Sequence, residues 1–174
     1  MLHDLPADFP LPILVVIHLH PDYTSHAAEI LRRHTQLQVK DGEEHDTLQP
    51  GVVYMAPRNR HLLVNSGRIT LADTAPVHFS RPALDQTFNS VVEAYGAHVI
   101  GVVLSGFGKD GSEGLRAIKT AGGFTIVEDP LTARFPAMPS AAIAAATADR
   151  MVPLQEIAPL LVKLSGRARE SAGK

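Results

Sequence analysis

The sequence predicts an α/β protein built on a doubly wound, mostly parallel sheet with a small antiparallel insertion. Three observations carry this. Residues 13–19 (ILVVIHL) form a continuous β-branched run, as in a strand buried on both faces of a parallel sheet. Strand-like segments 98–105 (HVIGVVLS) and 124–128 (FTIVE) alternate with helical patterns, as parallel βα units require. A glycine-rich turn, 106–111 (GFGKDG), joins one of those strands to the helix after it.

After the first strand, Thr24 or Ser25 is placed to cap a helix whose apolar face is Ala27, Ala28, Ile30 and Leu31, ending near Arg33. The short pieces QLQV, VVYMA, HLLV and RITLA follow, separated by turn chemistry at Asp41-Gly42, Gln49-Pro50-Gly51 and Asn65-Ser66-Gly67. All four are expected in the antiparallel insertion. Phe88, Val91, Val92 and Tyr95 recur at helical spacing across 85–95, with Gly96 suited to the C-terminal cap. Further helices are expected at 112–120, in the Ala-rich stretch after Pro139, and over 154–164. These elements give one domain over 1–165, followed by a solvated tail over 166–174.

Of the 174 residues, 45% are hydrophobic and 20% charged, the balance of a chain able to bury a core. The absence of Cys excludes disulfides, thiol catalysis and thiolate zinc sites. A formal charge of -2 offers no general attraction to nucleic acid or anionic membranes. With no apolar run long enough to span a bilayer and no basic segment at the start (MLHDLPADFPLP), the expectation is a cytoplasmic protein without membrane insertion.

In an open parallel sheet, ligands bind beyond the carboxyl ends of the strands. His18, His20 and Asp22 lie there after the first strand, and Ser105, Lys109, Asp110 and Ser112 after 98–105. The turn 106–111 matches GxGxxG, with Glu128 at a spacing suited to a ribose, but Phe107 and the Lys109-Asp110 pair would crowd a pyrophosphate. His18-Leu19-His20-Pro21-Asp22 reads HxHxD, and residues two apart on a strand share a face, so both imidazoles have the spacing to chelate one metal. His61, His78 and His98 are further candidate ligands. No GxSxG or SxxK motif is present, and Ser105 and Ser112 read as cap or strand-end hydroxyls.

Five ordered blocks carry a more specific signal: VVIHLHPDYTSHAAEIL, LQPGVVYMAPRNRHLLV, HFSRPALDQTFNSVV, GVVLSGFGKDGSEGLRAIKTAGG and FPAMPSAAI. Together they resemble the CheB-type protein-glutamate methylesterase catalytic domain of bacterial chemotaxis and related phosphorelays, from about residue 14 to 161. The resemblance implies a Ser-His-Asp hydrolase that converts receptor glutamate methyl esters to glutamate and methanol, with glutamine deamidation as a related reaction. His18 matches the general base and Asp110 the acid that orients it. Backbone N–H at Phe107 is the implied oxyanion donor, while Arg58, Arg60 and Arg81 are expected to line the cleft and meet an acidic receptor helix. No cofactor and no metal are implied.

The family's nucleophile lies in a glycine-rich turn after a strand that precedes the one beginning at Ile13. No Ser of this sequence matches it, so the first strand and nucleophile turn of the family are expected to be missing. The competing expectations are an N-terminally truncated methylesterase, a non-catalytic remnant serving as a binding module, and a metal-dependent hydrolase using His18 and His20. The implied partners are a methyl-accepting chemoreceptor and a separate receiver or methyltransferase. Lacking a central strand, the chain is expected to have reduced stability or to self-associate.

Overall fold

The computed structural model describes residues 1–18, 26–145 and 148–172, with side chains through residue 166. Strand β1 (Ile13–Val15) pairs in parallel with β3 (Val52–Met55), which pairs on its other side with β2 (Gln38–Asp41). Hairpin strands β4 (His61–Asn65) and β5 (Arg68–Ala72) are antiparallel. A second parallel sheet has the order β6 (Ile100–Val103), β7 (Phe124–Glu128), β8 (Arg150–Val152). The helices are α1 (Ala27–Arg33), α2 (Leu84–Tyr95), α3 (Ser112–Thr120), α4 (Ala137–Ala144) and α5 (Leu154–Ala172).

Burial on alternate faces of the strands builds two layers of core. Val53 and Met55 of β3 join Val39, Ile126 and the α5 residues Ile157, Ala158 and Leu161 in one cluster. Val52 and Tyr54, on the opposite face of β3, pack with Leu62 and Ile69 beneath the hairpin. On β7, Ile126 belongs to the first cluster, while Val127 turns to Val103, Leu115, Ile118, Met138 and Ala142 below α3 and α4. The first cluster runs across both sheets, with Ile13 and Val15 of β1 and Ile100 and Val102 of β6 packed against it. Strands β1 and β6 are both terminal strands of their sheets.

The antiparallel insertion is smaller than the sequence suggests. QLQV and VVYM belong to the parallel sheet as β2 and β3, and only the hairpin is antiparallel. Turn residues at 41–42 and 49–51 mark where the chain bends and not which way the next strand runs. The first strand is also shorter than expected: β1 stops at Val15 and is only half-buried, because β3 is its single strand neighbour among the described residues. Thr24 and Ser25, the expected caps of α1, lie outside the described residues.

Helix α4 starts before Pro139, which sits in the first turn, where its missing N–H has no intrahelical acceptor to lose. Beyond the expected end near residue 164, α5 continues to Ala172. Residues 166–172 of the stretch read as a tail are therefore helical, in keeping with the helix-forming Arg, Ala and Glu residues there. No described helix is long and apolar enough to cross a membrane.

Candidate active site

The carboxyl ends of β1 and β6 are joined by a side-chain pair: His18 Nε2 lies 2.6 Å from Asp110 Oδ2, across 92 residues of sequence. His18 is partly open, at 28% side-chain exposure, while Asp110 is buried at 3%. Asp110 also accepts the backbone N–H of Leu84 at 2.6 Å and of Asp85 at 3.0 Å. These are the first two residues of α2, whose cap residue Ala83 supplies no side-chain acceptor. A carboxylate from a distant loop thus caps α2 and sits at the positive end of its dipole. Burial opposes ionisation of Asp110, but the hydrogen bonds from His18, Asp85 and Leu84 outweigh it and hold the carboxyl below its ordinary value. With Asp110 ionised, Nε2 must be the donor, which leaves the lone pair of a neutral His18 on Nδ1.

Glycine makes this approach possible. Gly111 has φ +89°, and a Cβ there would come within 2.6 Å of Leu84 Cδ2, on the residue that binds Asp110. The preceding loop is fastened from both sides. Buried Glu128 accepts the N–H of Ser105 at 2.7 Å, and Ser105 Oγ accepts that of Phe135 at 2.8 Å. Gly106 donates to the Phe135 carbonyl and accepts from Met138 N–H. Glu128 is therefore a loop anchor and not a ribose acceptor, a role its spacing alone does not reveal.

Phe107 is 72% exposed at the tip of the loop, with its ring 4.5 Å from that of Phe135. Its backbone N–H has no protein acceptor among the described residues. Ser112 Oγ is turned to the Lys109 carbonyl, so this hydroxyl, like that of Ser105, serves the local backbone.

A cleft of 280 Å³ lies beyond the ends of β1 and β3, lined by Ile17, Met55, Arg58, Asn59, Arg81 and Pro82 among others. Arg58 is exposed on its rim. Arg81 is braced by Asn59 Oδ1 and by the carbonyls of Asp73 and Thr74. Arg60 points elsewhere, binding Asp73 and the Leu71 carbonyl outside the cleft lining.

The other candidate histidines separate clearly. His20 lies outside the described residues, and His18 has committed one ring nitrogen to Asp110. Buried His61 uses both nitrogens structurally, accepting Ala83 N–H at Nδ1 and facing the Ala75 carbonyl at Nε2. His98 is exposed. His78 faces Asp85, a residue that motif reading did not single out.

A family model described as CheB methylesterase matches residues 1–161. The chain belongs to the CheB methylesterase family. It is 39% identical over 165 residues to a protein of Anaeromyxobacter dehalogenans named protein-glutamate methylesterase/protein-glutamine glutaminase 2, covering 95% of this chain and 48% of the relative. A relative from Archaeoglobus fulgidus, named protein-glutamate methylesterase/protein-glutamine glutaminase, is 40% identical over 91% of this chain and 47% of its own length. The chain thus spans about half the length of these two relatives. A putative enzyme of the same name from Leptospira interrogans is 37% identical, with 94% of this chain matched to 86% of the relative. Among solved structures, the Thermotoga maritima CheB methylesterase catalytic domain superposes with a TM-score of 0.89 at 35% identity, covering 94% of this chain and 89% of that one. The mostly parallel α/β architecture and the catalytic-domain assignment follow from these matches.

Proposed function

We propose that this domain hydrolyses γ-glutamyl methyl esters on a methyl-accepting chemoreceptor, releasing methanol and glutamate, and that it deamidates glutamine at the same site. The observation that carries this reading is the 2.6 Å pair of His18 and Asp110, with Ile17, the residue before His18, in the lining of the cleft. A serine hydroxyl attacks the ester carbonyl while His18 Nδ1 takes its proton. The same nitrogen then gives the proton to departing methanol, and a water repeats the cycle to free the glutamate. Asp110 fixes the tautomer and stabilises the imidazolium. The N–H of Phe107 serves the tetrahedral oxyanion, and Arg58 at the rim receives acidic side chains of the receptor.

Among the described residues, no serine hydroxyl is hydrogen-bonded to His18. In this reading the nucleophile belongs to a strand and turn seated between β1 and β6, the two terminal strands whose apolar side chains share one core. The test is methanol release from a methylated receptor by the 174-residue chain and by the chain extended at its N terminus, each with a His18→Ala counterpart. The expected outcome is activity in the extended chain alone, abolished by His18→Ala. Activity that survives His18→Ala overturns the assignment, and inactivity of the extended chain favours a binding module.

A further inference from the structure

A second histidine–aspartate pair lies beside the first, and its geometry is not that of a hydrogen bond. His78 Nε2 and Asp85 Oδ2 face one another at 3.3 Å, yet each is a buried atom with no hydrogen-bond partner. Asp85 is only 3% exposed, so its orphaned oxygen is a nine-tenths-buried polar group aimed at the imidazole. A carboxylate oxygen of Glu113, in the first turn of α3, completes a group whose three ligand atoms lie within 4.8 Å of one another. Buried polar atoms left unpaired are costly, and an unpaired carboxylate more so. Asp85 also lies next to Asp110, whose charge adds to the local negative potential.

The spacing also fits a metal ion. Ligands about 2.0–2.1 Å from a tetrahedral zinc ion stand about 3.3–3.4 Å from each other. The observed 3.3 Å between Nε2 and Oδ2 is that edge length. Glu113 is exposed, its ligand oxygen lies within 4.8 Å of the other two ligand atoms, and closing to the third corner would require only rotation about its own side-chain bonds. We propose that His78, Asp85 and Glu113 bind a divalent cation of zinc's class, with one position left to water. One imidazole and two carboxylates suit zinc and its first-row neighbours better than magnesium, which prefers an all-oxygen shell.

The backbone around the site is arranged to hold it. Asp85 Oδ1 accepts the N–H of Gly114 at 2.7 Å, which orients the carboxylate and turns Oδ2 toward His78. His78 and Phe79 form a tight turn, both with positive φ, closed by the reciprocal bonds of Val77 and Ser80. A bound ion would tie this surface turn to the first turns of α2 and α3, one residue from the N–H of Leu84 that grips Asp110. The role is therefore structural, outside the esterase chemistry, and it does not depend on the activity proposed above.

The test uses the untagged 174-residue chain. Zinc is titrated against a chromophoric chelator, and cobalt is added separately to read the visible ligand-field band of a low-coordinate site. The expected result is about one equivalent of zinc and a cobalt band. Both should be lost in His78→Ala, and zinc binding should weaken at least about tenfold in Glu113→Gln. Because Glu113 is exposed and Gln is isosteric, that variant keeps the fold and remains informative if His78→Ala does not. His20→Ala should leave zinc binding unchanged. The proposal is overturned if no zinc binds, if binding survives both His78→Ala and Glu113→Gln, if Glu113→Gln alone has no effect, or if binding disappears in His20→Ala, which would move the metal to the HxHxD segment.

Discussion

The two histidine–aspartate pairs share the first turn of α2 and the same side-chain chemistry, but their carboxyls are driven in opposite directions. Asp110 receives three donors, from His18, Leu84 and Asp85, and is held below its ordinary value despite burial. Asp85 receives one, from Gly114, and its carboxyl is pushed up, chiefly by burial and further by the charges of Asp110 and Glu113. Both residues are 3% exposed, so burial does not separate them. The difference lies in how many N–H groups converge on each carboxylate. A saturated pair suits tautomer control during proton transfer, whereas an unsaturated one retains an oxygen for another ligand.

The severest way to break the comparison is to take the charge from the saturated pair. Asp110→Asn keeps the shape but replaces an acceptor that faces His18 Nε2 with an amide, which favours the wrong tautomer. In the form of the domain that carries the proposed esterase activity, kcat for methanol release should fall by about 10⁴-fold, the scale found when the triad aspartate of serine proteases is amidated. A loss of tenfold or less would show that Asp110 acts as a helix cap and not as the orienting acid.

Gly114→Ala strikes the second pair. A Cβ at position 114 would lie 2.5 Å from Phe88 Cβ and 3.1 Å from Asp85 Cα, so α2 and α3 must separate and stretch the bond from Gly114 to Asp85. The expected loss is about 1–3 kcal/mol in urea denaturation. Substitution without loss of stability would mean that the close helix approach does not position Asp85.

The contrast also explains what was legible in the sequence. Apolar runs and helical spacing identify β6, β7, α2 and α3, because each buries its own periodic face. They mislead on β2 and β3, which pair with each other in parallel across the connection 42–51, a direction that its turn residues do not encode. His18 and Asp110 emerge from motif order, since no local pattern links residues 92 apart. Asp85 falls inside a quoted block, HFSRPALDQTFNSVV, but its character comes from what surrounds it: the N–H of Gly114, the imidazole of His78 and the absence of further donors among the described residues. Such an environment exists only after α2 and α3 have packed. Arg60 shows the converse, for it shares a motif with Arg58 and yet is drawn out of the cleft by Asp73.

A gentler perturbation follows the signs of the two shifts. Asp110, with a lowered folded value, contributes stability that is complete above its unfolded value and lost as pH falls through the folded one. Asp85, with a raised folded value, contributes stability that is complete below its unfolded value and lost as pH rises through the folded one. At neutral pH in chelator-treated buffer, Asp85→Asn should therefore raise the melting temperature. The new amide keeps an oxygen for Gly114 N–H and supplies a donor for His78 Nε2. Asp110→Asn should lower the melting temperature at neutral pH and flatten the acid limb. Equal destabilisation by both variants across the pH range would remove the distinction between the pairs.

The smallest expected effects lie at the rim of the cleft beside the saturated pair, where two arginines two residues apart face different surroundings. Arg60 and Asp73 form an ion pair at 39% and 71% side-chain exposure, so Arg60→Ala should change stability by no more than about 1 kcal/mol. Since Arg60 does not line the cleft, KM should stay unchanged as well. Arg58 does line it, and under the proposed function an exposed charge that meets an acidic receptor would contribute to binding equally in the ground and transition states. Arg58→Ala should accordingly raise KM a few-fold with kcat preserved, and the gap from wild type should narrow as salt screens the attraction. A KM effect of Arg60→Ala equal to that of Arg58→Ala would show that the receptor reads the charge of the whole segment, with no distinction between an arginine on the cleft and one held by Asp73.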